Sequence, residues 1–269
     1  MRALIAGQGR LPELLVERHR AAGEALVVCG YAGAPGRLDP DISFHLERLG
    51  GLLRELRRRG VREVCMAGAV RRPKLRVWRL DFATLRIVPR LARALGKGDD
   101  GALREVIALF EENGMTVRGA HEILPDLLPG PGVLTKAQPR DGDRRDAARG
   151  EEIVAAMGAA DIGQACVVAA GQALAIEALP GTDWMLASLA GPREEGLPAG
   201  GLLFKAPKPG QDRRADLPAI GPGTIRAAAG AGLRGVVIEA GGVMLLDREE
   251  ALAAADAAGL FLWVRPKGG

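Results

Sequence analysis

The sequence is poor in aromatic residues and carries little net charge. Only 3% of its 269 residues are aromatic, and the formal net charge is +4. Nucleic-acid-binding proteins usually combine a dense basic stripe with aromatic side chains on which bases stack. The composition therefore argues against a nucleic-acid partner, and the mild basic excess fits a phosphorylated small molecule or an anionic membrane surface.

Cysteine is also scarce. Cys29, Cys65 and Cys166 are the three cysteines, and each stands alone in an apolar run. An odd number of isolated cysteines predicts free, buried thiols in a reducing compartment. Because no CxxC pair occurs, the sequence suggests neither a structural zinc site nor a redox disulfide.

Long apolar runs are absent as well. No stretch of about 20 uninterrupted apolar residues could span a membrane, and the N-terminus becomes polar too early for a signal peptide. We therefore expect a cytoplasmic protein that reaches any lipid from a pocket or at a surface. The arginine-rich segments Arg54–Arg59 and Arg71–Arg79 are candidates for peripheral contact with the inner membrane. A solvated basic face is the simpler explanation of both.

The first half of the chain alternates apolar runs of strand length with helical patterns. Strands are predicted at Ala3–Ala6, Ala25–Cys29 and Val61–Ala67, and helices at Pro12–Ala22, Leu46–Arg59 and Leu91–Asn113, the last interrupted at Gly96–Asp100. This order predicts an α/β domain over residues 1–124 with a mostly parallel sheet. Such sheets bind ligands beyond the carboxyl ends of their strands, which places Gly7–Pro12 and Gly68–Lys74 at one rim.

The second half reads as a separate, smaller αβ domain over residues 147–269. Residues 125–146 hold four prolines and a charge cluster, and we interpret them as the linker. Beyond it, helices are predicted at Ala148–Ala159, Thr182–Ala190, Thr224–Ala231 and Arg248–Ala258, and strands at Ala165–Ala170, Ala173–Ala178, Gly201–Lys205, Val236–Glu239, Val243–Leu246 and Leu260–Val264. The first two strands would form a hairpin around Gly171-Gln172, the fourth and fifth would pair, and Thr182 would cap its helix.

Several short motifs could bind phosphate, but each has an ordinary structural explanation. Gly7–Pro12 follows a strand and opens a helix, as a dinucleotide fingerprint does, yet Pro12 replaces the third glycine. In Gly96–Asp100, Gly98 follows Lys97, whereas the phosphate-loop pattern GxxxxGK(S/T) requires Ser or Thr after the lysine. This segment could simply cap a helix. His121 could be a structural histidine, and the pair Thr182 and Asp183 could serve only to open a helix.

The most informative segment is LLFKAPKPGQDRRADLPAIG, Leu202–Gly221. Lys205 and Lys208 stand beside prolines that restrict the backbone, and Asp216 follows in an Asp-Leu-Pro turn. Lysines neutralise phosphate oxygens as point charges, and a carboxylate can hold Mg²⁺ or orient a water molecule. This combination suits the cleavage of a pyrophosphate, in which negative charge must be neutralised before water attacks phosphorus.

The ordered motifs resemble the LpxI family of UDP-2,3-diacylglucosamine pyrophosphatases. The segments that carry the resemblance are Ile5–Pro12, Ala67–Pro73, Gly96–Asp100, Gly119–Glu122, Asp161–Gln164, Glu177–Leu186, Lys205–Gly221 and Gly259–Val264. The long pattern KAPKPxQxxRxDLPxIG is specific, whereas the short glycine motifs alone are not. One departure is Ala69, where the family carries Asn, so no substrate contact is assigned there.

The resemblance implies a Rossmann-like N-terminal domain, a C-terminal catalytic and lipid-binding domain, and an active-site chamber between them. It also implies Mg²⁺ as cofactor, a homodimer, and water attack on the α-phosphorus that releases UMP and 2,3-diacylglucosamine 1-phosphate, lipid X. Asp216 matches the essential acidic residue, and Asp216 and Asp183 are the predicted metal ligands. The predicted substrate-binding residues are Gly9, Arg10, Leu11, Gly68, Arg72, Lys97, Asp99, His121, Thr182, Asp183, Lys205, Lys208 and Gln211.

Two other function classes remain open at this point. A NAD-dependent oxidoreductase could use the Rossmann-like half, although the third fingerprint glycine is missing and Cys29-Gly30-Tyr31 supplies no acidic residue after the second strand. A sensor that binds a nucleotide sugar would bind tightly without turnover. Binding of NAD(H), or binding without hydrolysis, would favour these alternatives.

Overall fold

The computed structural model describes residues 1–33, 36–70, 84, 87–90, 99–191 and 196–268. These residues form two compact units, each of which is described by itself. The first unit contains Met1–Pro125 together with Asp212–Asp216, and the second contains Asp126–Gln211 and Leu217–Gly269. A short piece of the Lys205–Gly221 motif is therefore grouped with the first unit.

The first unit is built on a five-stranded parallel sheet. Its strands are β1 (Arg2–Ala6), β2 (Leu26–Tyr31), β3 (Ile42–Phe44), β4 (Glu63–Ala67) and β5 (Thr116–Arg118), in the spatial order β3-β2-β1-β4-β5. Its helices are α1 (Arg10–Ala21), α2 (Leu49–Arg58), α3 (Asp99–Glu112) and the single turn α4 (Ala120–Ile123). The order reverses between β1 and β4, which is where open parallel sheets form a crevice for ligands.

The core of the first unit follows from the predicted periodicity. Along α2, Leu49, Leu52, Leu53 and Leu56 are all buried at helical spacing and pack against the strand residues of the sheet. The predicted order β-α-β-α-β and the parallel sheet are thus confirmed. The short strands β3 and β5 were absent from the prediction, because three-residue strands leave too little alternation to recognise. Residues 91–98 of the third predicted helix lie outside the described residues.

The second unit contains a six-stranded mixed sheet. Its strands are β6 (Gly132–Val133), β7 (Ala165–Ala169), β8 (Gln172–Ile176), β9 (Leu202–Lys205), β11 (Gly235–Glu239) and β13 (Phe261–Arg265), in the order β6-β13-β11-β9-β7-β8. The three central strands β9, β11 and β13 run parallel, while β6 and the hairpin β7–β8 join antiparallel. A separate small sheet pairs β10 (Ala219–Ile220) with β12 (Met244–Leu245).

Helices cover both faces of the six-stranded sheet. Helix α5 (Asp141–Ala159) packs Val154 and Met157 against Cys166 and Phe204 on one face. On the other face lie α6 (Thr182–Ser188), α7 (Pro222–Gly230) and α8 (Arg248–Ala257), whose apolar side chains join those of the central strands. The second unit is therefore a three-layer αβα arrangement, in which the central strands are buried on both faces.

Two predictions for the second half need correction. The predicted pairing of Val236–Glu239 with Val243–Leu246 is wrong, because β11 pairs with β9 and β13 whereas β12 pairs with β10. Adjacent strands in sequence usually pair, but here β11 is a central parallel strand that has neighbours on both sides. Helix α5 begins at Asp141 rather than Ala148, since the Asp143 carboxylate accepts from the Arg140 N–H and stabilises an earlier start.

The predicted linker also differs from what the structure contains there. Within residues 125–146, β6 adds an edge strand to the six-stranded sheet, and α5 begins. The hairpin β7–β8 turns at Ala170-Gly171, both with positive φ, one residue before the predicted turn. Gly181, rather than Thr182, is the N-cap of α6. Thr182 is the first residue of that helix, and its hydroxyl has another partner.

The expectations about cysteines and membrane spans can be compared with the described structure. Cys29, Cys65 and Cys166 are all free and buried, as predicted, and burial raises the pKa of each thiol to about 12. Thiols with such a pKa stay protonated and unreactive near neutral pH. Within the described ranges, none of the helices combines the length and the apolar character that crossing a bilayer requires.

Candidate functional site

Two glycine loops meet at the carboxyl edge of the first unit's sheet. The loop after β1 and the loop after β4 are joined by backbone hydrogen bonds, in which Gln8 and Ala69 each donate an N–H to the other's carbonyl oxygen, at 2.9 and 2.8 Å. Gly7 also donates to the carbonyl oxygen of Ala67 at 2.8 Å. The crevice between β1 and β4 is therefore bridged by main chain. Because Ala69 acts through its backbone, the bridge does not depend on which side chain this position carries.

The bridge requires glycine at Gly68. Its φ is 91°, and a β-carbon there would lie 2.7 Å from the Gln8 carbonyl oxygen and 2.7 Å from Cγ of Pro12. We expect Gly68→Ala to lower the free energy of unfolding by about 3 kcal/mol, because it combines backbone strain with overpacking against main chain. Equilibrium urea unfolding followed by circular dichroism measures this difference.

Gly60→Ala is the matched control for Gly68→Ala. Gly60 has a similar φ of 73°, but no atom lies within 4 Å of the position that a β-carbon would occupy there. Only the strain of the left-handed backbone applies at Gly60, so a loss of about 1 kcal/mol is expected. Equal losses at the two glycines would show that the close approach of the two loops contributes nothing.

The other predicted substrate-binding residues of the first loop have defined places. Gly9 is the N-cap of α1 with a φ of 105°, and Leu11 is half-buried in the first turn. Arg10 donates to both carboxylate oxygens of Glu17 at 2.6 and 2.8 Å. Its guanidinium is thus held by an ion pair along α1.

Three more residues are predicted to bind substrate: Arg72, Lys97 and Asp99. Arg72 and Lys97 lie outside the described residues, as does the basic segment Arg71–Arg79. Asp99 is the first residue of α3.

The other basic segment, Arg54–Arg59, is described. Within it, Arg58 and Arg59 donate to Glu55 at 2.7 and 2.8 Å, and these bonds lower the pKa of Glu55 to about 2. This exposed ion-paired arrangement is consistent with a solvated basic face.

His121 lies just beyond β5, at the same carboxyl edge as the two glycine loops. Burial is the largest cause that lowers its pKa from the usual 6.5; Glu122 opposes the shift and Arg213 adds to it. Its Nδ1 atom is buried and accepts or donates no hydrogen bond within the part of the chain that is described. His121 is therefore neutral at pH 7 and can offer a hydrogen bond to a ligand, but not a positive charge.

The segment Asp212–Asp216 is anchored within the first unit. Arg214 donates to Asp212 at 2.8 Å and to Glu111 of α3 at 2.7 Å, and these contacts connect the segment to the helix. The hydrogen bonds from Arg214 lower the pKa of Asp212. The N–H of Asp216 donates to the Asp212 carbonyl oxygen at 3.1 Å. Asp216, half-buried, thus follows a turn whose conformation is fixed by an ion-pair network, which favours a defined carboxylate position.

In the second unit, Lys205 and Thr182 are brought together. Lys205 ends β9 and is only 6% exposed, while Thr182 begins α6 and is 9% exposed. The Lys205 ammonium donates to the Thr182 hydroxyl oxygen at 2.9 Å. Two predicted substrate-binding residues 23 positions apart are therefore in direct contact. A buried ammonium interacts with phosphate charge more strongly than an exposed one, because little water screens it.

Lys208 and Gln211 stabilise the proline-rich loop that follows β9. The Lys208 ammonium forms an ion pair with Asp161 at 2.7 Å, and the Gln211 side-chain oxygen accepts from the Lys208 N–H at 3.1 Å. Both residues thus have partners within the loop region of the second unit. A substrate phosphate could still share the Lys208 ammonium, which has three donor hydrogens.

The predicted metal ligands do not form a recognisable cluster by themselves. Across the described ranges, no three His, Cys, Asp or Glu side chains come together as a metal site. Asp183 is exposed on α6, and Asp216 is half-buried. Mg²⁺ binds carboxylate oxygens and keeps several water ligands, so a single accessible carboxylate fits its requirements. The chemistry of these two residues fits Mg²⁺, although it identifies no full ligand set.

Two buried polar side chains lie at the carboxyl edge of the six-stranded sheet. Neither has a role predicted from the sequence. Glu177 follows β8 directly and Gln164 precedes β7. Glu177 Oε2 and Gln164 Oε1 are buried and have no hydrogen-bond partner among the residues that the structure describes. An unsatisfied buried acceptor costs about 1–3 kcal/mol. For Glu177, the sequence offers one indication of a special role, a charged residue placed directly after an apolar strand.

Comparisons with known proteins point to one family for both halves of the chain. A family model described as the LpxI N-terminal domain matches residues 1–127, and one described as the LpxI C-terminal domain matches residues 130–263. The UDP-2,3-diacylglucosamine pyrophosphatase LpxI of Caulobacter vibrioides is 40% identical over 269 residues, covering 96% of this chain and 95% of the relative. The resemblance inferred from the motifs is thereby confirmed, and the similarity extends over nearly the whole length of both proteins.

Proposed function

The chain belongs to the LpxI family, and on this premise we propose that it hydrolyses the pyrophosphate bond of UDP-2,3-diacylglucosamine. The products would be UMP and 2,3-diacylglucosamine 1-phosphate. The observation that carries the proposal is the match of both family domains, together with 40% identity to a named pyrophosphatase across 95% of its length. The charges of the Lys205–Gly221 motif suit this chemistry.

Neutralisation of the pyrophosphate is the first requirement of the reaction. In the proposal, Lys205 binds a phosphate oxygen from its buried position beside Thr182, and Lys208 supplies a second, more exposed charge. Fixed cations act most strongly where negative charge builds in the transition state. Because Thr182 already holds the Lys205 ammonium in place, little reorganisation is needed when the substrate arrives.

Activation of water is the second requirement. In the proposal, the Asp216 carboxylate accepts a proton from the water that attacks the α-phosphorus. A bond forms between the water oxygen and that phosphorus, the bond to the bridging oxygen breaks, and the bridging oxygen leaves with the sugar phosphate. The proton passes on to solvent. The network of Arg214, Asp212 and Glu111 supports this role, because it anchors the turn from which Asp216 projects.

We also propose Mg²⁺ as the cofactor. Asp216 is the first choice as its protein ligand and Asp183 the second, since both are carboxylates and Mg²⁺ prefers oxygen ligands. Bound Mg²⁺ would supply additional charge neutralisation at the phosphate oxygens. His121, being neutral at pH 7, would orient the nucleotide or a water molecule by hydrogen bonding rather than by charge.

An apolar surface suits the acyl chains of the proposed substrate. Among the large apolar side chains that are exposed, four lie between residues 162 and 184 of the second unit: Ile162, Ile176, Leu179 and Trp184. Leu179 is 94% exposed and Trp184 is 60% exposed. Leu179 lies in the loop that joins β8 to α6, and Trp184 lies in the first turn of α6 after Thr182. We propose that these two exposed apolar residues, here named the β8–α6 apolar surface, contact the acyl chains.

The direct test is hydrolysis by the purified protein with added Mg²⁺. We expect UMP release from UDP-2,3-diacylglucosamine, loss of that activity in excess EDTA, and its recovery when Mg²⁺ is restored. UDP-glucose serves as the control for the acyl chains, and we expect it to be hydrolysed at least about 100-fold less efficiently, because it lacks the apolar contacts. Full activity in EDTA would remove the metal from the proposal. Binding without UMP release would instead favour a sensor.

A further inference from the structure

Glu177 is a buried carboxylate to which the proposed reaction assigns no task. It is 8% exposed, and its Oε2 atom has no hydrogen-bond partner in the described part of the chain. Its own N–H donates to the Ala165 carbonyl oxygen at 2.8 Å, which fixes its backbone at the end of the sheet. Buried polar atoms without a partner are rare in native proteins, and a functional role is one of the few explanations.

Strand register places Glu177 on the same face of the sheet as Lys205. Ala165 pairs directly with Lys205 on β9, and the hydrogen bond from Glu177 continues the pairing of β7 with β8 to the other side of Ala165. Residues directly opposite in neighbouring strands point to the same face. Since neighbouring strands lie about 4.8 Å apart, the two charged residues stand about 10 Å apart at their backbones.

Gln164 does not share this arrangement. It precedes Ala165, so strand alternation directs its side chain to the opposite face, that of Cys166 and Phe204. The unsatisfied oxygen of Glu177 is therefore the one that shares a face with Lys205. Ala165 is the residue that separates the two charged residues along the strand ladder.

A cation and an acceptor at this spacing match a sugar phosphate. Such a ligand carries phosphate oxygens, which an ammonium binds, and neutral O–H or N–H donors a few ångströms away, which a carboxylate binds. A divalent cation suits the place less well, because the Lys205 ammonium on the same face would repel it.

The neighbourhood of Glu177 points to the acylated sugar rather than to the ribose. Leu179, a member of the β8–α6 apolar surface, follows Glu177 by two residues, whereas Ile176 pairs with Cys166 and points to the opposite face. A ligand whose acyl chains lie on that surface brings the hydroxyl and amide N–H groups of the same sugar close to the carboxylate. The nucleoside has no apolar chain that would be directed there.

We propose that Glu177 binds a hydroxyl or amide N–H donor of the acylated glucosamine and so contributes to the choice of substrate. This inference rests on the proposed function, because it assigns a further residue to the same substrate. Glu177 takes no part in the bond changes. Its carboxylate would recognise the sugar next to the phosphate that Lys205 binds.

Glu177→Gln tests the proposal with little change of shape. We expect the KM for UDP-2,3-diacylglucosamine to rise about 10- to 100-fold, as for loss of a hydrogen bond to a buried charge. Inhibition by 2,3-diacylglucosamine 1-phosphate should weaken by a similar factor. Inhibition by UMP, which lacks that sugar, and the Mg²⁺ concentration for half-maximal activity should stay unchanged. Glu249→Gln, an exposed site on α8, is the matched control.

Stability separates a binding role from a structural one. Because Glu177 Oε2 has no partner among the described residues, the nearly isosteric change Glu177→Gln should not lower the Tm. A lowered Tm with an unchanged KM would overturn the proposal in favour of a structural carboxylate. Weaker UMP inhibition would assign Glu177 to the ribose, and a shifted Mg²⁺ midpoint would assign it to the metal. Either result overturns the proposal.

The activity of the wild-type protein distinguishes failure of the proposed function from failure of the role proposed for Glu177. If it releases no UMP from UDP-2,3-diacylglucosamine, the proposed function fails. If it does, and Glu177→Gln matches it both in KM and in inhibition by the lipid product, only the role of Glu177 fails.

Discussion

Replacing Asp216 by alanine is expected to lower the turnover of UDP-2,3-diacylglucosamine by about 1,000-fold, which is about 4 kcal/mol in the activation barrier. The carboxylate is proposed to accept a proton from the attacking water, and the other carboxylate of the segment, Asp212, is held in an ion pair with Arg214. Substrate affinity should survive, because other groups contact the uridine, the phosphates and the acyl chains. Release of UMP in single-turnover reactions measures the change in the chemical step.

Asp212→Asn is the matched control for Asp216→Ala. It removes an aspartate four residues away that forms an ion pair with Arg214 and whose pKa is lowered by that contact. We expect it to loosen the turn and reduce turnover by no more than about 10-fold, since the reacting carboxylate remains. If Asp216→Ala keeps wild-type turnover, Asp216 neither activates water nor holds an essential metal. If both variants lose turnover equally, the segment acts through its structure alone.

Replacing Lys205 by methionine should have the second largest effect. We expect kcat/KM to fall by about 100- to 1,000-fold, or about 3–4 kcal/mol, as is typical for loss of a preorganised group that stabilises transition-state charge. Methionine has a similar length and packs well in buried places, so the charge is the main property lost. Initial rates of UMP release over a range of substrate concentrations provide the value.

Two further variants sharpen the test of Lys205. Lys205→Arg keeps the charge, but we expect little recovery, because a planar guanidinium cannot take the place of a compact ammonium beside Thr182. Lys136→Met removes an exposed lysine and should leave kcat/KM unchanged. A Lys205→Met protein with normal kcat/KM and a normal circular dichroism spectrum would mean that the buried ammonium has no part in the reaction.

Features that depend on local pattern could be predicted from the sequence. The leucines of α2 recur at helical spacing and are all buried, and the isolated cysteines in apolar runs are free and buried. The parallel sheet of the first unit follows from the alternation of strands and helices. The long lysine and proline motif of residues 205–221 led to the family, because a specific run of residues needs no fold to be recognised.

Features that depend on contacts between distant residues could not be predicted. The partners of β12 and the edge strand β6 are set by which surfaces remain to be covered once the sheets assemble. The contact of Lys205 with Thr182 arises because β9 ends where α6 begins, a fact of register rather than of composition. The Asp212–Asp216 segment likewise lacks the periodicity that would have predicted its grouping with the first unit.

Glu177 illustrates most clearly the difference between features set by local pattern and features set by contacts between distant residues. Its identity and its place after an apolar strand are visible in the sequence, but most glutamates in such places face solvent. Only the pairing of β8, β7 and β9 buries this carboxylate and puts it on the face of Lys205. Local sequence thus encodes the elements, the thiols and the reactive motif. Burial and neighbourhood are long-range properties, and they arise only when strands far apart in the chain come into register.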